Sequence, residues 1–110
     1  MLTLALSRAA SALLQALLQR VGDDRDRILL SRIKSTDWQS LVFVGERHVM
    51  QLRIPGPDAD LLASRLVDGI EDAEFAIRGQ FVADIAVVRS LACALDGSVT
   101  LEIEALTVAE

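Results

Sequence analysis

Apolar side chains at Leu6, Ala10, Leu13, Leu14, Leu17 and Val21 fall three and four residues apart, while Ser7, Ser11, Gln15 and Gln19 fill the other side. That spacing is the one an amphipathic helix imposes, and it predicts a helix over residues 1–22. Thr3 suits its N-cap, Arg20 complements the dipole in its last turn, and Gly22 suits the left-handed position just past its end. The polar side carries almost no charge, so both sides of this helix are expected to pack, within the chain or against a second copy.

The run Asp23-Asp24-Arg25-Asp26-Arg27 mixes signs and reads as a solvated connector. A strand is expected over 28–35, followed by a turn at Thr36-Asp37. Residues 38–54 read as a β-hairpin closed by Gly45-Glu46, because glycine first in a two-residue loop fits a type II′ turn. With that turn Phe43 faces His48, Leu41 faces Met50 and Trp38 faces Arg53. Pro55-Gly56-Pro57 stops the strand. Pro57 at a first helical position, Asp58 and Asp60 at the positive end, and Leu62, Leu66 and Ile70 as an apolar stripe predict a second helix over 57–69, ended by Gly69.

Residues 73–109 form a long C-terminal hairpin region in which apolar residues alternate from Phe75 onward, with a bulge near Gly79. Asp96-Gly97 is a type I′ signal. A two-residue turn there puts Ser90 and Ala92 on one face with Val99 and Leu101. It sets Arg89 across from Glu104 and leaves Ile85, Val87, Leu106 and Val108 as an outer apolar patch that needs a cover. The fold class is therefore α+β, one domain over 1–110, with a single antiparallel sheet of about five strands and two helices in the order α-β-β-β-α-β-β.

Composition narrows the function. The 110 residues include 11 basic and 16 acidic side chains, for a net charge of −5, with one histidine and one cysteine. An acidic chain is a poor match for nucleic acid. One cysteine excludes an internal disulfide, and with one histidine it leaves no common metal centre, so no metal or cofactor is expected. Arg8, Gln15 and Gln19 interrupt the apolar opening, so a helix rather than a secretory signal is read there, and no run is long enough to cross a membrane. A cytoplasmic location is expected. Tyrosine and asparagine are absent and Lys34 is the single lysine, a bias of GC-rich coding that points to a bacterium.

Two side chains are candidates for catalysis. His48 alone has an unperturbed pKa near neutrality, the first requirement of a general base. Its alternative is a partly exposed ring packed at the sheet edge. Asp84 interrupts an apolar run beside Val82 and Ala86, where a carboxylate needs a partner or a raised pKa; its alternative is an edge-strand charge that deters aggregation. Together they would make an acid–base dyad in a pocket between sheet and helices. Glu102 and Glu104 share a strand face, a spacing that can frame a cation but equally the polar face of a half-exposed strand. Cys93 reads as a buried, inert thiol. Arg47, Arg53, Arg78 and Arg89 could converge on an anion. No phosphate loop, zinc-protease, nucleophile-elbow or dinucleotide motif occurs.

The leading expectation is a non-catalytic protein that acts through homodimerisation and protein–protein association, because an uncharged helix and a two-sided apolar hairpin are most simply buried across a two-fold axis. The element order is similar to that of the small acidic dimeric chaperones of bacterial type III secretion, a likeness of topology without shared residues. The alternatives are an accessory subunit of a larger assembly, and a small-ligand enzyme or binding protein using His48 and Asp84.

Overall fold

A computed structural model describes residues 6–93 and 95–110. Thr3 lies outside them, and the first helix, α1 (Arg8–Leu18), is capped by Ser7, whose hydroxyl accepts from the Ala10 amide at 3.1 Å. A 3-10 stretch (Gln19–Arg27) follows, and Gly22 within it takes φ 63°. The predicted stripe is buried from Ala10 onward, with Leu13, Leu17 and Val21 fully inside and Arg8, Gln15 and Gln19 facing solvent, while Leu6 precedes the helix and is exposed. The helix thus buries its apolar side in its own protomer.

Four strands, not about five, form one antiparallel sheet: β1 (Leu29–Gln39), β2 (Val44–Ile54), β3 (Gln80–Ala92) and β4 (Val99–Ala109), ordered β1-β2-β4-β3. The element order is helix, two strands, helix, two strands. It lacks the third early strand on which the likeness to the secretion chaperones rested.

The missing strand comes from one misplaced turn. Thr36-Asp37 continues β1 and Gly45-Glu46 lies inside β2; the chain reverses at Leu41-Val42, where the Ser40 amide donates to the Phe43 carbonyl at 2.9 Å. The Ser40 hydroxyl also accepts from the Phe43 amide at 3.1 Å. His48 therefore faces Ser35, Met50 faces Ile33, Trp38 faces Gly45, and Arg53 faces Leu29. Ladder length explains the outcome. A turn at Leu41-Val42 lets two eleven-residue strands pair and sets Ile33 and Leu30 beside Met50 and Leu52 under the helices. That burial outweighs the poor turn chemistry of two branched apolar residues.

The last hairpin is looser than a two-residue turn. Ala92 pairs with Val99, the Cys93 amide donates to the Ser98 carbonyl, and Arg89 faces Glu102 rather than Glu104. Two bulges, at Val82/Asp84 and Val87/Arg89, reverse parts of the predicted faces. Ile85 and Val87 turn toward the helices, while Leu106 and Val108 stay on the outer face.

The second helix, α2 (Ala59–Val67), lies on the same side as α1, with Leu62, Ala63 and Leu66 in one cluster with Leu13, Met50, Leu52 and Leu101. Arginines join the two helical segments. Arg20 donates Nε to the Leu66 carbonyl at 2.7 Å and an Nη to the Asp68 carbonyl, both at the end of α2. Arg65 returns a bond to the Val21 carbonyl at 2.8 Å and pairs with Asp24 at 3.0 Å. Arg27 clasps Asp58 with both Nη atoms at the start of α2. These carbonyls are the orphan acceptors that every helix end leaves. Arg20→Ala is expected to lower stability by about 1–2 kcal/mol, and Arg20→Lys by nearly as much because an ammonium cannot reproduce the fork. Urea titration of the three proteins checks this; a lysine variant as stable as the parent contradicts it. No helix among the described residues is long and apolar enough to cross a membrane.

Candidate functional site

His48 sits in the middle of β2 on the helix-covered face, fully buried rather than partly exposed. Antiparallel pairing places Ser35 directly beside it on β1, and Thr107 lies diagonally beside it on β4. Ser35 Oγ is 2.7 Å from Nδ1 and Thr107 Oγ1 is 2.8 Å from Nε2. A neutral ring has one donor and one acceptor nitrogen, and a hydroxyl can serve either, so both are satisfied. Burial lowers the pKa of His48, against a smaller upward pull from Glu46. The result is a neutral polar bar that ties three strands together.

Asp84 is not brought to it. Its partner on β4 is Leu106, whereas His48 pairs with the adjacent Ala105, so the two side chains stand on opposite faces with β4 between them. Asp84 is exposed on an edge strand, in the place its structural alternative described. Glu102 and Glu104 occupy the open face of β4, half-buried between their neighbours. Cys93 is exposed rather than buried, because the ladder ends at Ala92 and leaves it in the connection. There its thiol and, more strongly, the Ser98 hydroxyl and amide hold the Asp96 carboxyl down at about 2. Asp96 also pairs with Arg53 at 3.1 Å. Among the described residues no three His, Cys, Asp or Glu side chains are placed to hold a metal ion.

The surface that sequence reading missed is the tip of the first hairpin. Leu41 and Val42 are 104% and 80% exposed, and Phe43, Val44 and Phe81 beside them each expose more than a third of their surface. Phe43 and Phe81 meet edge to face, with ring centroids 6.2 Å apart. Phe81 is the ladder partner of Val108, an outer-face residue that is itself buried. The signal was available in Leu41-Val42-Phe43-Val44, four consecutive apolar residues with no alternation. A strand that has one wet face does not produce such a run.

The sheet face away from the helices is open. Its rows, read across β1-β2-β4-β3, are Trp38–Gly45–Val108–Phe81, Thr36–Arg47–Leu106–Asp84, Lys34–Val49–Glu104–Ala86, Arg32–Gln51–Glu102–Arg89 and Leu29–Arg53–Thr100–Leu91. Comparison with protein-family models and with curated proteins finds no match to this chain.

Proposed function

We propose that this is a non-catalytic protein that acts through protein–protein association, with a homodimer as its working form. The carrying observation is the hairpin tip, where Leu41 and Val42 stand in solvent beside Phe43, Val44 and Phe81. Turn corners ordinarily hold Gly, Asn, Asp or Pro, and a sequence breaks such a local rule where function demands it. Contiguous exposed apolar surface of this kind marks a contact site. Nothing in the fold of the protomer needs either side chain.

That last property gives a clean test. The double variant Leu41→Ser, Val42→Ser is expected to keep the parent's melting temperature at dilutions where both are monomeric and to weaken association about tenfold or more, since each buried aliphatic side chain contributes on the order of 1.5–3 kcal/mol. Size exclusion with in-line light scattering measures it. A parent protein that runs as a monomer at micromolar concentration overturns the dimer, and a variant that associates as tightly as the parent removes the tip from the interface.

A further inference from the structure

The open face of the sheet is divided by charge along its width. Among the described residues β1 and β2 present Arg32, Lys34, Arg47 and Arg53 there and no carboxylate, while β4 and β3 present Glu102, Glu104 and Asp84 with Arg89. Arg89 stands directly across from Glu102, and Arg53 turns to Asp96. Among the described residues, Lys34 and Arg47 on one half, and Glu104 and Asp84 on the other, make no salt bridge within the protomer. The two ends of the face are apolar: Trp38 and Phe81 at one, and the exposed Leu29 and Leu91 at the other.

We infer that a second copy of this chain docks on the open face, with the β1–β2 half of each copy over the β4–β3 half of the other, about a two-fold axis parallel to the strands. This rests on the association reading and specifies its surface. The charge pattern selects the axis. A two-fold lying across the strands would stack β1 on β1 and set base against base. The parallel axis reverses strand order and keeps the rows in step. Lys34 of one copy then lies over Ala86 of the other, and Arg47 over Leu106, so that both bases enter the space between Glu104 and Asp84. Trp38 lies over Phe81 and Leu29 over Leu91, closing both ends with apolar contacts. Only Arg32 and Arg89 meet as like charges, with Glu102 beside Arg89 to screen them.

The size is sufficient. Four strands at ~4.8 Å spacing and ten residues at ~3.4 Å rise give a footprint of ~650 Å² per copy, or ~1,300 Å² in total. Stable interfaces begin at about 1,200 Å². Two sheets facing each other with aligned strands form an ordinary sandwich. The two apolar tips also fall at the same end of such a dimer, continuous with the Trp38–Phe81 contact.

Charge reversal in two halves tests the arrangement. One variant carries Lys34→Glu and Arg47→Glu, which sets carboxylates at the centre of both halves of the face; the other carries Asp84→Lys and Glu104→Lys, which sets bases there. Each alone is expected to dimerise at least about tenfold more weakly than the parent, since like charges now face one another. Mixed in equal amounts they are expected to form a heterodimer with affinity near the parent's, because acid meets base on both halves. Analytical ultracentrifugation reads all three. Variants that each dimerise like the parent, or a mixture that stays monomeric while the parent is a dimer, overturn this surface and leave association by another one. A monomeric parent overturns the association reading itself.

Discussion

Gly45→Ala is expected to cost roughly 2–4 kcal/mol, a large fraction of the stability of a chain this size. Gly45 sits in β2 between Trp38 of β1 and Val108 of β4. It is the one glycine of six without a positive φ, so its smallness rather than its flexibility is what the fold uses. A Cβ at this position would run into the Thr107 carbonyl oxygen and come within 3.0 Å of the Thr107 carbonyl carbon and the Val108 Cα. These are backbone atoms of a strand paired on both sides, and they have no rotamer by which to yield. The ladder must part at that end, and the bar from His48 to Thr107 lies next to it. Gly79→Ala is the control. Gly79 has φ 76° and open space around its would-be Cβ, so alanine there meets only left-handed strain, about 1 kcal/mol. Urea titration of both variants separates the causes: equal losses at the two positions would show that the close approach at Gly45 is not what matters.

Gly45 also explains how far the sequence could be read. The helices, the one-sided layering and the antiparallel sheet follow from periodicity, since Leu13, Leu17, Leu62 and Leu66 carry the 3.6-residue pattern and fall inside as it requires. The strand count failed at a glycine whose two meanings look alike in sequence. A glycine in a β-rich run marks either a turn or a close backbone approach. Neighbouring Leu41 and Val42 are among the last residues turn chemistry would choose, so the real reversal carried no local signal beyond Ser40. Bulges were the second obstacle. Each inserts one residue and flips the faces beyond it, so between the two Ile85 and Val87 moved inward and Asp84 moved outward. Strand period alone therefore put His48 and Asp84 within imagination of each other, and the sheet put them on opposite sides. The divided charge of the open face depends on the same turn and the same bulges and was not visible before them, whereas the apolar tip left its trace in the run Leu41-Val42-Phe43-Val44.

His48 carries the other large effect, and it has two readouts. His48→Ala is expected to destabilise the protein by about 3–5 kcal/mol, because it opens a cavity at a fully buried position and leaves the Thr107 hydroxyl, itself fully buried, without its partner. His48→Gln retains an amide that can reach one hydroxyl and is expected to lose about half as much. The pH dependence follows from the same burial. The folded chain holds the imidazole below its ordinary 6.5, with desolvation the chief cause and Glu46 the lesser, opposing one. Between those two values the unfolded chain takes up a proton that the folded chain refuses, so the unfolded state is favoured as acid is added. The stability from a neutral His48 is complete above about pH 6.5, declines as the pH falls from there, and levels off once the folded ring is itself protonated. Asp58 and Asp96, both held below the ordinary carboxylate value by their partners, lose their contributions only below that value, so they do not add to the slope that begins at about pH 6.5. Urea titrations at intervals from pH 7.5 to about pH 5, where histidine is the side chain that ordinarily titrates, should show this slope in the parent and lose it in the glutamine variant. A slope that survives the substitution would assign the effect to some other group.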